Sequence, residues 1–147
     1  MIIDDTYNAS PVALEEAQNA VKEIQTAGRK IAVIGDMMEL GKYSVDEHKK
    51  AGAQAANIFN MLAVAGIRGR GIAEGALNEG MNEGDIFQFD DSREAGNFLH
   101  GIIKAGDIIL VKGSQSMRME RAVAILMAHP EDAKKLLVRQ DAEWKKR

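Results

Sequence analysis

Three polar clusters each follow directly on an apolar run: "DDTYNASP" (4–11), "GDMMELG" (35–41) and "VKGSQSMRME" (111–120). Among their residues are the carboxylates Asp4, Asp5, Asp36 and Glu39, the cations Lys112 and Arg118, the hydroxyl of Ser114, and a ring beside an amide (Tyr7, Asn8). Acids at the carboxyl end of a strand, when they do more than solvate it, face a ligand or a metal. A lysine, a serine and an arginine close together suit a carboxylate or phosphate, because hydrogen bonds to ionised acceptors are the strong ones. Each residue also has an ordinary reading. Asp4 and Asp5 can solvate a strand end, Asp36 can hold its own turn, and Lys112 can be a solvated charge. Asn8 and Ser10 are common turn and cap residues. His48 is a further candidate, competing with a packing or surface role in the first turn of a helix. His100 and His129 read as structural, and Met37 and Met38 as core or interface.

Several classes of chemistry lack their sequence marks. There is no GxxxxGK[ST] phosphate loop, and "DDTYNASP" stands where a dinucleotide fold would carry GxGxxG. There is no GxSxG elbow. No cysteine is present, which removes disulfides and thiolate metal sites, and no His/Cys/Asp set has metal-ligand spacing, so no metal ligand is expected. Nineteen basic and 22 acidic residues give a net charge of −3, which offers no electrostatic case for nucleic acid or a membrane surface. No apolar run approaches the ~20 residues of a membrane helix, and no signal peptide opens the chain, so a cytoplasmic protein is expected. The 147 residues fit one domain. Met1 leads straight into a strand, as in a domain taken from something longer.

The elements that must position these clusters alternate. Ile2-Ile3 begins a strand, and Ser10-Pro11 caps and opens a helix, which Gly28 is expected to stop. Residues 30–36 form a buried strand. "SVDE" is a capping box, with Ser44 as cap and Glu47 three residues on, before a helix to about residue 59. Residues 61–66, 86–89 and 106–114 are further strands. Residues 70–80 are glycine-rich and weakly helical, and 92–103 form a helix capped by Ser92. Another helix covers 116–128, its first N–H groups at Ser116 to Arg118 favouring an anion. Pro130 breaks it, a charged helix runs from Glu131, and the tail 139–147 is expected to fray. Continuous apolar strands between helices mean an α/β fold: a Rossmann-like three-layer sandwich on a mostly parallel sheet of five to six strands. The three clusters then share one rim, where such sheets bind ligands.

The motifs "DDTYNASP", "GRKIAVIGDMMELG", "DEHKKAG" and "GDIILVKGSQSMRMERAV", in this order and spacing, resemble the C-terminal domain of the Mur ligases, in particular the branch that adds D-alanyl-D-alanine. The stretch around 66–84 and the tail add little to the likeness. Ser10 stands where the family commonly has Asn, and Gln115-Ser116 where it has a basic or glycine pair. The resemblance implies one of three domains, the N-terminal and the central ATPase domain being absent from 1–147. It implies an ATP-dependent ligase of peptidoglycan synthesis, using Mg²⁺ held mainly by the central domain. That enzyme joins D-Ala-D-Ala to UDP-N-acetylmuramoyl-tripeptide through an acyl phosphate. By the same resemblance Asp4, Asp5, Tyr7 and Asn8 face the nucleotide, and Asp36, Glu39, Lys112, Ser114 and Arg118 line the dipeptide side. This domain alone is expected to be inactive.

Two other classes share some of these features. A receiver-like phosphoacceptor also has an acid pair after strand one and a lysine after strand five. It needs a phosphorylatable Asp after strand three, where "MLAVAGIRG" has none. A stand-alone nucleotide-binding or interaction module is the other alternative.

Overall fold

Each of the five apolar runs can be buried on both faces, and the chain uses them as one parallel sheet. The computed structural model describes residues 1–147. Its strands are β1 (Ile2–Asp5), β2 (Lys30–Gly35), β3 (Met61–Ala65), β4 (Ile86–Phe89) and β5 (Ile108–Lys112), in the order β1-β5-β2-β3-β4. β2 lies at the centre, with Ile31 between Met61 and Ile109, and Asp5 pairs with Lys112 at the end of β1.

The period-two alternation of the strands feeds two cores. Ala32, Ile34, Leu62, Val64 and Leu110 meet α1 (Pro11–Glu23), α2 (Ser44–Ala56) and α3 (Gly69–Asn78). Ile31, Val33, Ala63, Ile109 and Val111 meet α4 (Ser92–His100) and α5 (Glu120–Leu126) on the other face. Thus β2 leads to a helix on one face and β5, its neighbour, to a helix on the opposite face. The carboxyl ends of β2 and β5 form a topological switch point, where a crevice opens.

The glycine-rich stretch has a packing reason. A Cβ on Gly52 would lie 1.9 Å from the carbonyl oxygen of Ile72, and one on Gly75 would lie 2.0 Å from that of Lys49. α2 and α3 therefore touch backbone to backbone, which brings the start of α3 against the end of β2.

Several element ends differ from the sequence expectation, each for a local reason. α1 ends at Glu23, and Gly28 instead packs on the Gly106 turn, where a Cβ would meet the Gly106 backbone at 2.4 Å. Ser44 is not a cap: a 3-10 turn at Gly41–Tyr43 runs directly into α2, and Ser44 is its first residue. α4 is capped by Asp91, whose Oδ1 accepts from the Arg93 and Glu94 N–H groups; Ser92 instead donates to the Arg118 carbonyl. The expected helix 116–128 is interrupted. A 3-10 turn covers Gln115–Met117, Arg118 is left-handed at φ 52°, and α5 starts only at Glu120. No helix N-terminus therefore forms at Ser116 to Arg118.

The tail does not fray. After Pro130 the chain makes short turns, α6 (Ala133–Leu136) and α7 (Ala142–Lys145), and returns to the sheet edge. Arg139 is buried and donates to the carbonyls of Thr6 and Tyr7 and to Glu120. The guanidiniums of Arg118 and Arg139 lie 5.3 and 5.5 Å from the Trp144 ring centre.

Candidate functional site at the carboxyl ends of the strands

At the edge of the rim, Asp5 and Lys112 are register partners, and parallel pairing puts both side chains on one face. Lys112 Nζ lies 2.7 Å from Asp5 Oδ2 and donates to the Asn8 carbonyl at 2.8 Å. Its side chain is 3% exposed, against 43% for Asp5. Lys112 is thus a strut that shapes the loop after β1, while Asp5 keeps an open face. Asp4 Oδ1 accepts from the Thr6 amide and hydroxyl, an Asx turn that leaves Oδ2 free. The Tyr7 and Asn8 side chains are exposed and make no hydrogen bond. Two carboxylates at the end of β1, and a ring and an amide on the loop after it, therefore stand above a backbone held from below.

At the switch point the loop after β2 is locked from three sides. The Ser114 amide donates to the Asp36 carbonyl at 3.0 Å, and Ser114 Oγ accepts from the Met38 amide at 2.8 Å. The Met37 amide donates to His48 Nε2 at 3.0 Å, so the ring proton sits on Nδ1, 2.6 Å from the Ser44 carbonyl that accepts it. Asp36 Oδ1 accepts from the Gly69 amide at 2.7 Å at the start of α3. Gly66 turns the chain there at φ 101°, and a Cβ would lie 2.6 Å from Asp36 Oδ1. Glu39, left-handed at φ 63°, points its carboxylate to solvent.

Above this lock sits Arg68, with a side chain 46% exposed, 3.8 Å from Asp36 Oδ2 and donating to Met38 Sδ at 3.2 Å. It borders a hollow of about 310 Å³ between the starts of α2 and α3, lined also by Ser44, Val45, His48 and Glu74. The structure thus brings Asp4, Asp5, Tyr7, Asn8 and Lys112 together, and Asp36, Glu39, Ser114 and His48 together. Arg118 joins neither group: it bonds Glu120 Oε1 at 2.6 Å and the Trp144 carbonyl at 2.7 Å. No three His, Cys, Asp or Glu side chains stand close enough to hold a metal ion. Arg68 lies outside the three polar clusters that the sequence marks. Its one sequence signal is being the first cation past the third buried strand, three residues after Ala65. The use of His48 as a backbone acceptor had no signal beyond the Ser44-to-His48 helical spacing.

A family model described as "Mur ligase, glutamate ligase domain" matches residues 1–115, most of the chain. The chain belongs to the Mur ligase family. The UDP-N-acetylmuramoyl-tripeptide–D-alanyl-D-alanine ligase of Bacillus subtilis is 32% identical to this Mur ligase domain over 130 residues, 88% of the chain and 28% of the relative. The enzyme of that name from Escherichia coli K12 is 32% identical over 130 residues, 86% of the chain and 26% of the relative. Among solved structures, MurF ligase from Thermotoga maritima in complex with ADP superposes with a TM-score of 0.69 at 28% identity, over 91% of this chain and 29% of that one. MurF from Acinetobacter baumannii gives 0.73 at 30% identity, over 85% and 27%. The domain therefore spans little more than a quarter of these relatives.

Proposed function

We propose that this Mur ligase domain is the C-terminal part of an ATP-dependent ligase that joins D-alanyl-D-alanine to UDP-N-acetylmuramoyl-tripeptide in peptidoglycan synthesis, in the bacterial cytoplasm. The observation that carries this is the split rim. The end of β1 and the loop after it present partly open carboxylates, a ring and an amide, and a second, rigidly locked loop lies beside a half-exposed arginine. In this reading Asp4 and Asp5 accept hydrogen bonds from the nucleotide's ribose, with Tyr7 and Asn8 beside its base and phosphates. Lys112 positions that loop. The carboxylates here can accept from hydroxyls, and no three of them gather as a metal cage; in this reading the N-terminal and central domains, outside this chain, hold the muramoyl peptide, Mg²⁺ and most of the ATP. Mg²⁺ there would offset the charge of the transferring phosphoryl group.

On the second loop, the solvent-facing Glu39 attracts the dipeptide ammonium, with Asp36 Oδ2, the partner of Arg68, behind it. The guanidinium of Arg68 and the free hydroxyl proton of Ser114 take its carboxylate, since a planar guanidinium matches a carboxylate's two oxygens. Arg118, expected on this side, is turned to the tail, and Arg68 takes its place in the proposal. The lock on residues 36–38 keeps the amine's position fixed, and a near-attack geometry beside an acyl phosphate requires that. Domain closure would exclude water and complete the site.

The test is phosphate release with ATP, Mg²⁺, the UDP-muramoyl tripeptide and D-Ala-D-Ala, on this chain alone and joined to the upstream domains. Turnover is expected only from the joined protein. Arg68→Ala should raise the dipeptide KM roughly tenfold or more, the size of one lost charged hydrogen bond, with the ATP KM unchanged. Asp5→Ala should do the reverse. An active joined protein indifferent to both changes would refute the residue assignment. One that turns over only with another amine donor would refute the substrate.

A further inference from the structure

A third group of charges lies away from both loops, where α4, α5 and the docked tail meet. A hollow of about 170 Å³ there is lined by Arg93, Arg118, Arg121, Arg139 and Lys145, with Glu120 as the one acid in its wall. The carboxylate of Glu120, 1% exposed, is divided between Arg118 and Arg139. Asp91, the other acid acting on Arg121, already caps α4. Arg93, Arg121 and Lys145 have no ion-pair partner and donate no side-chain hydrogen bond. In a chain whose net charge is −3, five cations against one carboxylate in so small a space is a local inversion of sign.

A second observation concerns a buried donor. The side chain of Arg139 is 4% exposed; both its Nη atoms are bonded, and its Nε–H is buried without any partner. Such a group is unusual, because buried donors are almost always satisfied. Burial and the neighbouring charges of Arg118 and Arg93 also depress the basicity of Arg121, so these cations repel one another in the absence of an anion. We propose that the hollow between α4, α5 and the tail is a binding site for a single phosphate group, held by Arg93, Arg121 and Lys145 against the Arg118–Glu120–Arg139 wall. The hollow, about 170 Å³, is large enough for a phosphate group. The cluster of cations favours a dianion over a carboxylate. The inference does not depend on the ligase reading, since it concerns different residues and can be tested without turnover.

The experiment is thermal unfolding of this chain with inorganic phosphate, phenyl phosphate or acetate, each against chloride at matched ionic strength, alongside the ³¹P linewidth of phosphate. Inorganic phosphate should raise Tm by about 3 °C once it exceeds its Kd roughly tenfold. Acetate should do much less. Protection by phenyl phosphate as well would identify a terminal phosphoryl group of a larger molecule; protection by the free ion alone would identify phosphate itself. Arg93→Gln with Arg121→Gln, both away from the tail's anchors, should abolish the shift and the line broadening. Lys134→Gln with Lys135→Gln removes the same charge elsewhere and should leave both. The proposal is overturned if phosphate protects no better than chloride, or if the two double variants respond alike.

Discussion

At the residue scale, the rim is organised by side chains that face inward. Lys112 and Asp5 form a pair with unequal surroundings, 3% and 43% exposed. Removing the exposed partner strands a buried ammonium, whereas removing the lysine leaves a carboxylate that water can reach. Asp5→Ala should therefore cost about 3 kcal/mol and Lys112→Met about 1 kcal/mol, in urea unfolding at neutral pH. The opposite order would mean that the pair is solvated and Lys112 is no strut. His48 has a comparable task, since its Nε2 is the acceptor for the Met37 amide. His48→Ala leaves that amide buried without a partner, at a cost of about 1–3 kcal/mol. Hydrogen exchange separates this from general loosening: the Met37 amide should lose more protection than the β2 amides. Uniform loss across both would show that His48 only fills space.

At the scale of elements, the far end of the sheet is held by one charged cluster. Asp107, before β5, accepts from the Arg29 amide, Nε and Nη2 and from the Lys104 amide, and Arg29 also reaches the Ile102 carbonyl. The Arg29 hydrogen bonds lower the Asp107 pKa to about 2, against the desolvation that opposes them. The folded state thus favours the carboxylate. Its contribution is complete above about pH 4 and should fall as pH drops toward 2, by about 2 kcal/mol in all. Asp107→Asn should lose a similar amount at pH 7 and flatten the acid limb of the stability curve. An unchanged limb would place the acid sensitivity elsewhere. Strand positions were legible in the sequence because a continuous apolar run has few other fates, and the helix-spaced apolar residues located the helices. Their ends were less legible. Ser44 and Ser92 carry cap chemistry, yet a preceding 3-10 turn displaced one and the neighbouring Asp91 the other. Arg118 entered a left-handed turn that no local pattern announced. For the site, residue types marked the rim, but which cations were struts and which were open depended on burial, and burial is a property of the whole fold.

At the scale of the molecule, the tail closes the sheet edge that carries the loop after β1. Arg139 crosses from the tail to the Thr6 and Tyr7 carbonyls while pairing with Glu120, and Trp144 stacks against Arg118, Arg139 and Arg147. Glu120 is fully buried and depends on two guanidiniums, one of them from the tail. Ending the chain at Val138 should therefore cost about 3–5 kcal/mol, the usual penalty for breaking a buried charge network, far above a trim of exposed residues. Arg139→Ala in the intact chain should reproduce most of that loss, since it leaves Glu120 with one partner and two loop carbonyls with none. Trp144 is the only tryptophan, so its emission reports docking directly. In Arg139→Ala it should shift to the red and quench readily at temperatures where far-ultraviolet circular dichroism still shows a folded sheet. Equal melting of the full and shortened chains would mean that the tail rests on the surface without holding it. In that case the shape of the loop carrying Tyr7 and Asn8 would depend on Lys112 alone.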